Sequence, residues 1–158
     1  MVLILLLAIL LGSFGLLTAM DRLLGRGRID AGLRGRVSLA LLFFFTGLGH
    51  FLTTGQMVQM LPPWVPARVG IIYVTGAVEL AGAVGLLVPR VSRPAGLSLI
   101  AFLVLVLPVN VYAAFNRVEM GGHGAGPAYL LLRVPFQFLL IGWAYWFAVR
   151  RRPRGGGG

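Results

Sequence analysis

Apolar residues run through this chain in five long blocks, at residues 1–20, 37–55, 70–88, 95–115 and 128–149, and almost every charge falls between them. Each block is roughly 18–22 residues long, which matches the ~20 residues an α-helix needs to cross the hydrocarbon core of a bilayer. The pattern predicts an all-α membrane protein with about five transmembrane helices.

The segments between the blocks differ in character. Residues 21–36 form a basic connector holding Arg22, Arg26, Arg28, Arg34 and Arg36. Its glycines follow no strand and build no G-x-G-x-x-G, so it reads as a lipid-facing linker rather than a phosphate-binding loop. Between the second and third blocks lies Met60-Leu61-Pro62-Pro63-Trp64-Val65-Pro66, a stiff connector whose Trp64 suits the headgroup boundary. Residues 150–158 are a basic, glycine-rich tail. The first block has no Lys or Arg before it and is longer than the apolar core of a cleaved signal, so it is expected to remain as an N-terminal transmembrane anchor.

Composition narrows the class further. With 158 residues, 58% hydrophobic and only 11% charged, the chain is one domain that could not cover a water-facing surface, for which about 25% charged residues is usual. The net charge of +10 comes from arginine alone. No aromatic-interleaved basic platform accompanies it, so nucleic acid is excluded as a partner; arginines placed between apolar blocks set topology and touch anionic headgroups. Five arginines in the first connector, Arg90 and Arg93, and four in the tail lie on one side, against Arg68 and Arg117 on the other. That bias places the N-terminus outside a cell membrane and the C-terminus in the cytoplasm. The absence of cysteine removes disulfides, thiolate zinc sites, Cys-x-x-Cys redox chemistry and c-type haem attachment.

Candidate chemistry comes from the polar side chains inside the blocks. His50, Glu79, Asn110, Arg133 and Gln137 are the ionisable or amide groups there, and such groups tend to face a bundle interior because a charge at the bilayer centre costs about 2.5–3.5 kcal/mol. Counted along their helices at 1.5 Å per residue, all five fall within roughly 8–14 Å of the outer boundary. Four blocks thus offer polar groups to one layer, the predicted ligand-binding or polar cluster. Gly76, Glu79 and Gly82 recur every three residues, while Thr46, His50 and Thr54, and Tyr129, Arg133 and Gln137, form i, i+4, i+8 stripes. Pro108 and Pro135 free the carbonyls of Val104 and Leu131. A Glu79–Arg133 ion pair is the expected link between the third and fifth spans, and His123, in a glycine-rich connector, is expected to be solvated. One membrane histidine and one glutamate complete neither a haem nor a metal set, so no metal site is expected.

The chain resembles the DoxX-like family of integral membrane proteins. The likeness rests on Thr46-Gly47-x-x-His50-Phe51, the Pro-Pro-Trp connector, Tyr73-x-Thr75-Gly76-x-x-Glu79-x-x-Gly82-x-x-Gly85-Leu86, Pro89-Arg90, Pro108-x-Asn110-x-Tyr112 and Arg133-x-Pro135-x-Gln137, and it covers residues 37–149. It implies a four-helix membrane bundle, preceded here by the additional first span, and association with quinone-linked membrane oxidoreductases. A quinone or similar lipophile could then be held by Glu79, Arg133 and His50, with Phe43, Phe44 and Phe51 lining an apolar region. Two other functions stay open: a small proton-linked or small-molecule transporter, in which a homo-oligomer would supply the missing size, and a non-catalytic assembly factor.

Overall fold

The computed structural model describes residues 2–24 and 30–150. The chain is an all-α membrane protein. Its five long apolar helical segments are α1 (Val2–Leu23), α2 (Ala31–Leu52), α4 (Arg68–Leu87), α5 (Ser92–Phe115) and the stretch His123–Arg150. A short helix, α3 (Thr54–Val58), follows α2. The last stretch is composite: a 3-10 turn (His123–Tyr129), the helix α6 (Leu130–Ala144) and a π-helical end (Tyr145–Arg150).

The helices outrun the apolar blocks at the arginine-rich end. Asp30 caps α2 by accepting the Gly32 N–H at 3.0 Å, so the helix starts at Ala31 rather than near residue 37, and Arg34 and Arg36 belong to it and not to a linker. Arginine is a good helix former, so the switch to polar residues ends the hydrophobic block without ending the helix. Arg36 is buried and donates to Ser92 Oγ at 3.1 Å in the first turn of α5. Arg34 lies 3.8 Å from Asp21, which rides on α1 beyond the expected end of that span. Residues 25–29 of the connector and 151–158 of the tail lie outside the described residues. Pro94 falls in the first turn of α5, where its missing N–H costs nothing.

Successive long helices run antiparallel: Asp21 near the end of α1 meets Arg34 near the start of α2, and Gly82 and Gly85 near the end of α4 lie against Leu99 and Ala95 of α5. The core between them is built from Leu39, Leu42, Phe43, Leu86, Leu99, Leu103, Phe136 and Leu140. α1 lies against α2 and the π-helical end through Phe14, whose ring is 5.3 Å from Trp143 and 5.5 Å from Phe147. Trp143 Nε1 donates to the Gly35 carbonyl at 3.0 Å, which ties the end of the last span to the start of α2. Leu5, Leu11, Leu16 and Leu23 on α1 face outward, as expected of a helix whose outer surface meets lipid rather than water.

Candidate ligand-binding site

At the end of the bundle where α2 finishes and α4 begins, two short sequences meet. Thr46-Gly47-x-x-His50 on α2 and Thr75-Gly76-x-x-Glu79 on α4 lie antiparallel, so the threonine of each faces the ionisable residue of the other. Thr46 Oγ1 donates to Glu79 Oε2 at 2.5 Å, and Thr75 Oγ1 sits 3.0 Å from His50 Nδ1. Glycine permits this closeness: a Cβ on Gly76 would fall 2.6 Å from His50 Cβ, and one on Gly47 would fall 2.9 Å from Leu80 Cδ2 and 3.2 Å from Glu79 Cβ. His50 Nδ1 also lies 3.1 Å from the Ile72 carbonyl. Its Nε2 faces Glu79 Oε1 at 3.4 Å. Glu79 is buried, with 6% of its surface exposed.

A second polar group is centred on Asn110 of α5, also buried. Its amide nitrogen donates to the Val106 carbonyl at 2.9 Å, and its Oδ1 accepts from Arg133 Nε at 3.2 Å and lies 3.2 Å from His123 Nε2. His123 Nδ1 is 2.8 Å from the Met120 carbonyl. The connector reaches this position because Gly121, Gly122 and Gly126 adopt positive φ, conformations that side chains with a Cβ rarely take. Tyr129 packs on the His123 ring at 4.8 Å between centroids, and its hydroxyl donates to the Gly121 carbonyl at 2.7 Å.

Between the two groups is a partly open cavity of about 330 Å³, onto which Thr46, His50, Glu79, Asn110 and Arg133 all face. Its remaining wall is chiefly apolar, including Phe102, Val106, Ile72, Met57 and Met120. Of the five side chains predicted from depth, four therefore share one space. Gln137 does not line it; it is buried one turn further along α6, and its amide nitrogen donates to the Leu103 carbonyl while Oε1 has no partner.

Several expectations are corrected. Among the described residues Glu79 pairs with His50, on the adjacent helix, and not with Arg133, whose Nε takes Asn110 instead. His123 is not solvated: 3% of its surface is exposed, because the positive-φ glycines fold the connector over the bundle end. Phe43 is in the core, Phe44 faces outward, and Phe51 stacks on Tyr73 at 5.7 Å; none of the three lines the cavity. Thr54, at the start of α3, bonds only to carbonyls in the last turn of α2, at His50 and Phe51. Sequence reading missed Thr75 as the partner of His50, although its place in Thr75-Gly76-x-x-Glu79, mirroring Thr46-Gly47-x-x-His50, was the available signal.

The arrangement sets hydrogen-bond donors and acceptors on the walls of a chiefly apolar space. Among the described residues no three His, Cys, Asp or Glu side chains gather as they would around a metal ion. Fold and site together define a multi-pass helical membrane protein with a chiefly apolar cavity carrying polar groups between its helices. Residues 39–148 match the family model described as Domain of unknown function (DUF8561), and the chain belongs to that family. The matched stretch runs from α2 into the π-helical end and leaves α1 outside. No curated protein and no solved structure matches the chain.

Proposed function

We propose that this chain is a DoxX-like membrane protein that binds a quinone or similar small lipophilic molecule in the outer half of its bundle, as an accessory subunit of a membrane oxidoreductase. The observation that carries the reading is the cavity of about 330 Å³ onto which Glu79, His50 and Arg133 face. Ligand pockets run from about 300 to 1,000 Å³, with mostly apolar walls and a few convergent polar groups. A ring system with carbonyl oxygens matches that description: Arg133 donates to an oxygen while Phe102 and Val106 cover the ring. The arginine bias supports an orientation with the cavity in the outer leaflet of a cell membrane and the tail in the cytoplasm.

Thermal unfolding of the purified full chain with menadione tests this. A ligand at a hundred times its Kd stabilises the folded state by about 2.7 kcal/mol, so the parent should melt several degrees higher with menadione and Glu79→Gln should lose most of that shift. A parent whose melting is unmoved by menadione removes the proposal.

A further inference from the structure

The ionisable side chains lining the cavity are unequally partnered. They are His50, Glu79 and Arg133. Glu79 is engaged at both oxygens, Oε2 by the Thr46 hydroxyl at 2.5 Å and Oε1 by His50 Nε2 at 3.4 Å. Among the described residues no carboxylate lies within 4 Å of the Arg133 guanidinium. Its Nε–H is taken by Asn110 Oδ1, and among the described residues no acceptor meets its two terminal nitrogens. The other titratable groups near it, His123 and Tyr129, can add positive charge or none at neutral pH. An arginine inside a membrane span seeks a counter-charge, and a planar fork with two free nitrogens fits an acidic oxygen pair.

We infer that the cavity takes its occupant as a monoanion: an apolar ring or short-chain body carrying one ionised acidic oxygen group, clamped by the terminal nitrogens of Arg133, with His50, Glu79 and Thr46 facing its far side. The inference rests on the cavity being a lipophile site and adds the charge state of what enters it. Neutral quinones of the same shape then bind as weaker analogues.

Two probes of nearly the same shape separate charge from fit. Lawsone, a hydroxynaphthoquinone, is ionised at neutral pH because its hydroxyl is a vinylogous acid; its methyl ether has the same rings and carbonyls and cannot ionise. The chain contains no cysteine to react with either. Binding is measured on the full chain in neutral detergent by quenching of its tryptophan fluorescence. Lawsone should bind at least about tenfold more tightly than the ether, a difference of about 1.4 kcal/mol. Arg133→Gln should abolish the ratio while still binding the ether. Arg133→Lys, which keeps the charge but loses the fork, should retain part of the ratio, and with the parent ratio it carries the test if Arg133→Gln does not fold. Equal binding of both probes by the parent overturns the inference and leaves the quinone reading standing, as does a lawsone preference that survives in Arg133→Gln. Binding of neither probe overturns both.

Discussion

Replacing Gly76 with alanine adds a single methyl group at the tightest point between α2 and α4. That methyl would lie 2.6 Å from His50 Cβ, 2.9 Å from Phe51 Cε2 and 3.2 Å from the Gly47 carbonyl oxygen. Carbon atoms settle at about 3.5–4.0 Å, and the nearest obstacle is a Cβ fixed to its own helix, so α2 and α4 must part by about 1 Å. Overpacking of this kind costs about 1–3 kcal/mol. Against it stands the usual gain of about 0.5–1 kcal/mol for alanine over glycine inside a helix. The net expectation is a loss of about 1–2 kcal/mol, or a few degrees in Tm at roughly 2–4 °C per kcal/mol for a chain of this size. Separating the helices also takes His50 out of reach of Glu79, so ligand-induced stabilisation should fall with Tm. Gly15→Ala is the control, since nothing lies within 4 Å of a Cβ there and only the helix-propensity gain applies. Melting followed through the fluorescence of Trp64, Trp143 and Trp146 in neutral detergent decides the matter. If Gly76→Ala melts at or above Gly15→Ala, glycine at the crossing is not what brings the two polar motifs together.

Other substitutions probe separate parts of the structure. Gln137→Met removes one buried hydrogen bond together with an unpartnered Oε1; it should cost no more than about 1.5 kcal/mol in denaturant unfolding, and a larger loss would mean Oε1 has a partner. Ser92→Ala strips the buried Arg36 guanidinium of its acceptor and should cost about 1–3 kcal/mol by the same measurement, whereas an unchanged midpoint would count against that contact. Thr46→Val removes the hydroxyl bonded to Glu79; a loss of about 0.5–1.5 kcal/mol is expected for one hydrogen bond, shrinking in the Glu79→Gln background, and additive losses would argue against a direct bond. Gly122→Ala places a Cβ 2.7 Å from the Tyr129 ring at φ +107, and hydrogen exchange over residues 120–130 should speed up by about tenfold or more, a strain of about 1–3 kcal/mol; unchanged exchange would show that the connector is not held by that turn.

Much of the fold was legible because lipid imposes a simple rule on sequence. Five blocks of bilayer length can be read as five helices without knowing any partner, and the helices in the structure follow them closely except where Asp30, Arg34 and Arg36 extend α2 outward. Hydropathy marks where lipid begins. It does not mark where backbone hydrogen bonding stops, and a cap such as Asp30 is a local signal lost among neighbouring glycines and arginines. The His123–Tyr129 turn was invisible for a different reason. Its shape depends on the signs of φ at Gly121, Gly122 and Gly126, and a glycine-rich segment is equally compatible with solvation and with folding inward.

The depth of a polar group was readable, its partner was not, and the distinction has a physical origin. Depth follows from rise per residue alone, which is why His50, Glu79, Asn110 and Arg133 could be assigned one layer and do share one cavity. Pairing depends on helix rotation and on how closely two backbones approach. Charge suggested Glu79 with Arg133, but the glycines at 47 and 76 bring α2 and α4 so close that His50 and Thr46 reach the carboxylate first. Small residues thus override formal charge in deciding the nearest neighbour, since a Coulomb attraction falls with distance while a hydrogen bond needs contact. The same displacement leaves Arg133 facing the cavity with two free nitrogens. The glycine crossing therefore does more than pack two helices: by giving Glu79 to His50, it leaves the arginine available to something that is not part of the chain.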